Sequence, residues 1–156
     1  MFEKCITLLN DRGVTLYDIA DCVMYLQAKY HPEITVEEVL EVIHSVISKR
    51  EVQHAIITGV SLDMMAEQNT LCDKDLQAIL MADYSLYGID EVLAYGICNL
   101  YGSIALTNYG YIDKVKPGII EKLNEHIEGT CNTFLDDIVG AIAASAASKI
   151  AHNHSN

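Results

Sequence analysis

The sequence contains no tryptophan, two phenylalanines, two prolines and nine glycines in 156 residues. So few breakers leave long uninterrupted stretches, and none of these alternates as a half-buried strand does. Basic residues are scarce as well: ten Lys and Arg face 22 Asp and Glu, a net charge of −12. That balance lacks the basic patch needed to hold nucleic acid or an anionic membrane surface, so neither is expected as a partner. The five cysteines, Cys5, Cys22, Cys72, Cys98 and Cys131, are odd in number and form no C-x-x-C pair. A disulfide framework and a zinc knuckle are thereby excluded, and a reducing, cytoplasmic setting is expected. The first ten residues hold no long apolar run, so no secretory signal is read. The motifs G-x-S-x-G, G-x-x-x-x-G-K-[ST] and H-E-x-x-H are absent too.

Charge is missing from one long stretch. Residues 92–112 are 21 positions without a charged side chain, enough to span a bilayer. Asn99, Ser103, Thr107, Asn108 and three glycines interrupt the run, and its four tyrosines are scattered along it. It is read as a buried central helix, with no stable membrane insertion. A second apolar run, residues 138–148, is rich in alanine and too short to span.

Helical spacing dominates what remains. Thr15 with Asp18, and Thr35 with Glu38, have the pattern of capping boxes, and Val36, Val39, Leu40, Ile43, Val46 and Ile47 form one apolar stripe. Further helices are predicted over 52–67, from an Asp73 cap to about residue 82, from Gly88 through the uncharged run, and from Pro117 to His126. Thr133 with Asp136 has the spacing to begin a last one. The fold class is all-α: seven or eight helices in a single domain over residues 1–151, with a polar tail at 152–156. The mean hydropathy of +0.18 and the small residues Ala143, Ala144 and Ala147 suit a homo-oligomer.

Paired carboxylates are the main chemical signal. Asp90–Glu91 opens one apolar helix and Asp136–Asp137 another. Hard divalent cations need several carboxylate oxygens converging on one point. The same acids also serve as caps or dipole partners in a first helical turn. Behind Asp136, Gly140, Ala143, Ala144 and Ala147 form a stripe that lets another helix come close, which puts the acid at the head of a tight contact. An acid buried there needs a partner such as a metal or a lysine. Asp113 and Lys116 stand three residues apart, either as a surface ion pair or as a lysine able to hold phosphate beside a metal. Two other patterns compete. Glu37-Glu38-x-x-Glu41 is like the E-E-x-x-E motif of all-α nucleotide pyrophosphohydrolases, but Thr70 stands where the second motif, begun by Glu67, needs an acid. Glu41-x-x-His44 and Glu51-x-x-His54 have di-iron spacing. On one helix they sit roughly 15 Å apart, so a break near residues 49–51 would be required.

The order of the C-terminal motifs is more specific. Asp90–Glu91 is followed by Asp113-x-x-Lys116-Pro117, and then by Gly129 and the Asp136–Asp137 pair that opens an apolar helix. This resembles the phosphatidylglycerophosphatase A family, in particular its soluble bacterial branch without evident membrane helices. The resemblance spans about residues 83–147. It implies Mg²⁺-dependent (or Mn²⁺-dependent) hydrolysis of a small phosphate ester or a lipid phosphate. Asp90, Glu91, Asp113, Asp136 and Asp137 would be metal ligands, Asp113, Asp136 and Asp137 would also serve as acid–base groups, and Lys116 would contact phosphate. Four features depart from the family's membrane members, one being Thr130 and Asn132 in the glycine-rich stretch that keeps Gly129. No N-terminal glycine- and proline-rich signature is present, Ile119 replaces a second proline, and Gly110 replaces an arginine. The lost arginine removes a bidentate phosphate clamp. The rival expectation is therefore a non-catalytic assembly or regulatory protein that keeps the fold.

Overall fold

The computed structural model describes residues 1–154. Nine helices and no strand occur among them: α1 (Phe2–Asp11), α2 (Leu16–Gln27), α3 (Val36–Ile47), α4 (Arg50–Glu67), α5 (Lys74–Met81), α6 (Ile89–Cys98), α7 (Ser103–Val115), α8 (Ile119–Asn124) and α9 (Leu135–Asn153). The all-α expectation is met. Nine helices are one or two more than the seven or eight expected, because α1 precedes the first predicted helix and the uncharged run divides in two. The last helix continues to Asn153, inside the expected tail. Ser155 and Asn156 lie outside the described residues.

The capping boxes form as read. Thr15 and Asp18 exchange side-chain and backbone bonds at the start of α2, as do Thr35 and Glu38 at the start of α3, and Asp73 caps α5. The uncharged run breaks at residues 99–102. Gly102 takes φ +90°, a conformation that costs an L-residue dearly, and α7 begins on it. Among the described residues, no helix is left long and apolar enough to cross a membrane.

The buried centre is α9 instead. Residues 135–148 are all buried, and α2, α3, α4, α6, α7 and α8 pack around them. An alanine-rich helix that is apolar on every side has only the interior to occupy, and its short side chains let neighbours approach. Ala143, Ala144 and Ala147 are fully covered by the chain's own helices. That stripe is used internally and presents nothing to a second copy. Among the glycines, the tightest approach is at Gly59 of α4, where a Cβ would stand 2.4 Å from Ile138 Cδ1 and 3.0 Å from Phe134 Cβ. A side chain at position 59 would have to displace the end of Ile138 and press on Phe134 Cβ.

Candidate metal centre

Four chain segments bring their acids to one cavity of about 190 Å³. The first turn of α6 supplies Asp90 and Glu91, and the first turn of α9 supplies Asp136 and Asp137. The end of α7 supplies Asp113 and Lys116, and the loop after α5 supplies Asp83. All six residues singled out from the sequence line this cavity. Asp83 is a sixth acid that the sequence did not single out.

Within the group, Asp90, Glu91 and Asp137 come closest, with one oxygen of each within 4.8 Å of the others. Among the described residues this is the one such cluster of His, Cys, Asp and Glu. The break between α3 and α4 does occur at residues 48–49, yet the two E-x-x-H pairs form no cluster there. Glu38 is used by its capping box and Glu37 and Glu41 stay exposed, so E-E-x-x-E reads as a solvated face.

Oxygens Asp90 Oδ1 and Glu91 Oε2 are buried and accept no hydrogen bond. A buried carboxylate oxygen without a donor is costly, and a divalent cation among the three oxygens removes that cost. The donor set of hard oxygens fits Mg²⁺ or Mn²⁺. Asp136 is turned differently. Its Oδ1 accepts the backbone N–H of Asp137 at 2.9 Å, and its Oδ2 lies 3.9 Å from Lys116 Nζ. Lys116 Nζ also donates to Asp113 Oδ1 at 3.2 Å. Lys116 and Asp83 hold left-handed backbone, φ +52° and +47°. They are two of the three non-glycine residues that do so among the described residues, and both line the cavity. Strain of about 1 kcal/mol each at a candidate site is the pattern expected when side-chain placement outranks backbone comfort.

The charges perturb one another. Burial, then repulsion from Asp136, pushes the Asp137 carboxyl well above its ordinary range. Burial raises Asp136 despite the pull of Lys116. Contact with Asp90, then burial, raises Glu91. Burial lowers Lys116, but Asp113 and Asp136 outweigh it and hold its charge more firmly. Each raised acid binds its proton more tightly in the folded than in the unfolded chain. Its contribution to stability is full below the unfolded value near pH 4 and is lost as pH rises through the raised one. Without metal, Tm should therefore fall between about pH 5 and about pH 9. Mg²⁺ competes with those protons, so the Tm it restores should grow over the same interval. Thermal scans in chelator and in Mg²⁺ at several pH values check both slopes.

The start of α9 is held from a distance. Thr133 and Asp136 have capping-box spacing, but Thr133 Oγ1 donates to Leu80 O at 2.7 Å and no side chain at the N-cap position caps the helix. Asp63 of α4 does so instead. It is fully buried and accepts Phe134 N at 3.0 and 3.2 Å and Leu135 N at 2.9 Å. Beside it, Arg12 forks onto Glu67 and donates to Cys131 O at 2.8 Å and to Asn132 Oδ1 at 3.1 Å, while Glu67 accepts Cys131 N at 2.8 Å. The turn carrying Asp136 and Asp137 is thus fastened to α4. In the sequence, Asp63 passes for helix surface or core. The available signal was its register: Val52, Ile56, Gly59 and Asp63 share the buried stripe of α4.

Known proteins resemble this chain over nearly its full length. The chain is 55% identical over 152 residues to YutG of Bacillus subtilis strain 168, covering 97% of this chain and 91% of that protein. It superposes on the crystal structure of the low temperature requirement C protein of Listeria monocytogenes with TM-score 0.96 at 54% identity, over 99% of this chain and 97% of that one. A protein of unknown function from Bacillus stearothermophilus gives TM-score 0.96 at 56% identity, over 99% and 96% of the two chains. The family model described as phosphatidylglycerophosphatase A matches residues 13–152, all but α1 and the last residues, and the chain belongs to that family.

Proposed function

We propose that the chain is a Mg²⁺-dependent phosphomonoesterase acting on a small phosphate ester or a lipid phosphate. The supporting observation is the pair of buried, unpartnered oxygens on Asp90 and Glu91 within reach of Asp137, in a cavity that also holds a lysine. Asp90, Glu91 and Asp137 would hold the ion. When bound, it supplies Lewis-acid polarisation of a phosphoryl oxygen and a water of lowered pKa. Lys116, poised between Asp113 and Asp136, meets a second phosphoryl oxygen. Asp113, at the half-open edge of the cavity, takes a proton from the attacking water. Asp136, whose burial favours its protonated form, returns one to the leaving oxygen. That all five described cysteines are free thiols suits a cytoplasmic setting.

The rival, a non-catalytic member that keeps the fold, draws support from Gly110. This residue sits on α7 one turn before Asp113, and a Cβ there would meet nothing within 4 Å. An arginine would fit, and none is present. Release of inorganic phosphate from a simple monoester separates the two. The parent should release it only with Mg²⁺, and Asp136→Asn should be slower by on the order of 10²-fold or more. Equal rates, or none in the parent, would favour the assembly protein.

A further inference from the structure

Tyr109 of α7 is fully buried, 1% exposed, and its hydroxyl makes no hydrogen bond. A buried hydroxyl without a partner costs free energy, and phenylalanine would fill the same space without that cost. The oxygen therefore does nothing for the metal-free fold. Its surroundings say where it can be used. The ring lies along Gly140 of α9, where a Cβ would stand 3.5 Å from Tyr109 Cε2. Gly140 follows Asp137 by three residues, so the ring meets the face of α9 that carries this carboxylate. On its own helix Tyr109 precedes Asp113, a cavity residue, by one turn. Tyr95 meets the ring edge-on, with centroids 5.4 Å apart, and helps to fix its plane. The ring thus stands directly behind the acids of the cavity.

Among the acids, Asp137 weighs most on the Tyr109 hydroxyl, ahead of Asp113 and Asp136. Burial, then these charges, push the hydroxyl far above its ordinary range, so it keeps its proton and is a donor. Asp113 Oδ1 already accepts from Lys116 Nζ, and Asp136 Oδ1 from the N–H of Asp137. Tyr101 also has a buried hydroxyl without a partner, but burial alone acts on it and no acid faces it.

We propose that Tyr109 is a positioning residue of the metal centre: its hydroxyl donates to the Asp137 carboxylate in the loaded site and keeps that acid turned towards Asp90 and Glu91. The proposal rests on the metal centre described above and not on the hydrolase assignment. A ligating carboxylate holds its orientation through hydrogen bonds from groups that do not themselves touch the ion. Polar pairs around an empty site are often long and tighten when the ligand arrives. A donor facing an ionised carboxylate gives the stronger, charge-assisted bond.

Calorimetric titration of the parent, Tyr109→Phe and Tyr101→Phe with Mg²⁺ tests this, beside thermal scans in chelator. Tyr109→Phe should bind Mg²⁺ more weakly by on the order of 10–100-fold, while its metal-free Tm equals or exceeds that of the parent, because the atom removed had no partner. Tyr101→Phe loses an equivalent atom, keeps its ring under Lys49 Nζ and should retain the parent's affinity. A second readout is optical. The chain has no tryptophan, so a tyrosine that becomes a hydrogen-bond donor shows as a shift of near-ultraviolet absorbance to longer wavelength. Mg²⁺ should produce that shift in the parent and in Tyr101→Phe, and not in Tyr109→Phe. Parent-like affinity in Tyr109→Phe overturns the proposal and leaves the metal centre standing. Affinity lost equally in both variants overturns it too, since that marks a loosened core. A parent that binds no Mg²⁺ removes the metal centre itself, and the proposal with it.

Discussion

Exchanging Asp137 for Asn should abolish the rise in Tm that Mg²⁺ gives the parent and should raise the Tm of the metal-free protein. Both effects have one cause. Asp137 is buried beside Asp136 and Asp90, and its oxygen completes the three-carboxylate group. At a hundredfold excess over Kd, a bound ion stabilises the folded chain by about 2.7 kcal/mol. In a domain of this length that is about 5–10 °C in Tm. The amide has nearly the same shape but no charge, so the ion loses a ligand while the empty site loses a repulsion worth on the order of 1 kcal/mol. An acid used only as a helix-terminal dipole partner would behave differently: its loss would lower Tm slightly and Mg²⁺ would affect neither protein. Glu37→Gln, at an exposed acid of α3 that belongs to no such cluster, is the control and should keep the full shift. Scans at matched ionic strength remove general salt effects. Equal shifts in parent and Asp137→Asn would refute the metal centre, and so would a parent indifferent to Mg²⁺.

The site was legible in the sequence to the extent that its parts are local. Asp90–Glu91, Asp113-x-x-Lys116 and Asp136–Asp137 each show as a charged pair beside an apolar helical run, and the fold brings all six residues to one cavity. Asp83 gave no such sign, because its place depends on the left-handed turn that ends α5. The same distinction runs through the fold. Thr15 and Thr35 cap their helices because the partner acid lies one turn away. Thr133 shows the same spacing and does not cap: the helix opens after Phe134, and Asp63 accepts the free N–H groups there. The uncharged run looks like one helix, and the break depends on the conformation of Gly102, which the apolar pattern does not display. α1 carries Phe2, Cys5, Ile6 and Leu9 at helical spacing but lacks a side-chain cap, so its start had no marker.

Asp63→Ala should destabilise the chain by about 3–5 kcal/mol, more than other substitutions away from the cavity. The carboxylate is the partner of two buried backbone N–H groups, Phe134 N and Leu135 N, and alanine leaves both without an acceptor. Each such orphan costs about 1–3 kcal/mol, and a lost helix cap by itself about 1 kcal/mol. Water cannot readily replace the carboxylate, because Gly59 brings α4 almost into contact with Phe134 and Ile138 on the same face. In this domain the loss corresponds to a fall in Tm of about 10 °C. Asp63→Asn should fall between, since the amide keeps one acceptor where the carboxylate had two oxygens in use. Burial raises the Asp63 carboxyl to about 7 even against these donors and Arg12, so the stability linked to its proton is lost as pH rises through that value, while the two N–H groups keep their acceptor. The consequence that a simple packing defect would not produce lies at the metal centre. Asp136 and Asp137 follow directly on the capped turn, so a frayed first turn separates Asp137 from Asp90 and Glu91. The Mg²⁺-linked rise in Tm should shrink in Asp63→Ala although no cavity carboxylate has been altered, and amide exchange at residues 134–138 should quicken ahead of the rest of α9. A Tm within a few degrees of the parent, together with an undiminished Mg²⁺ response, would show that α9 begins where it does without Asp63.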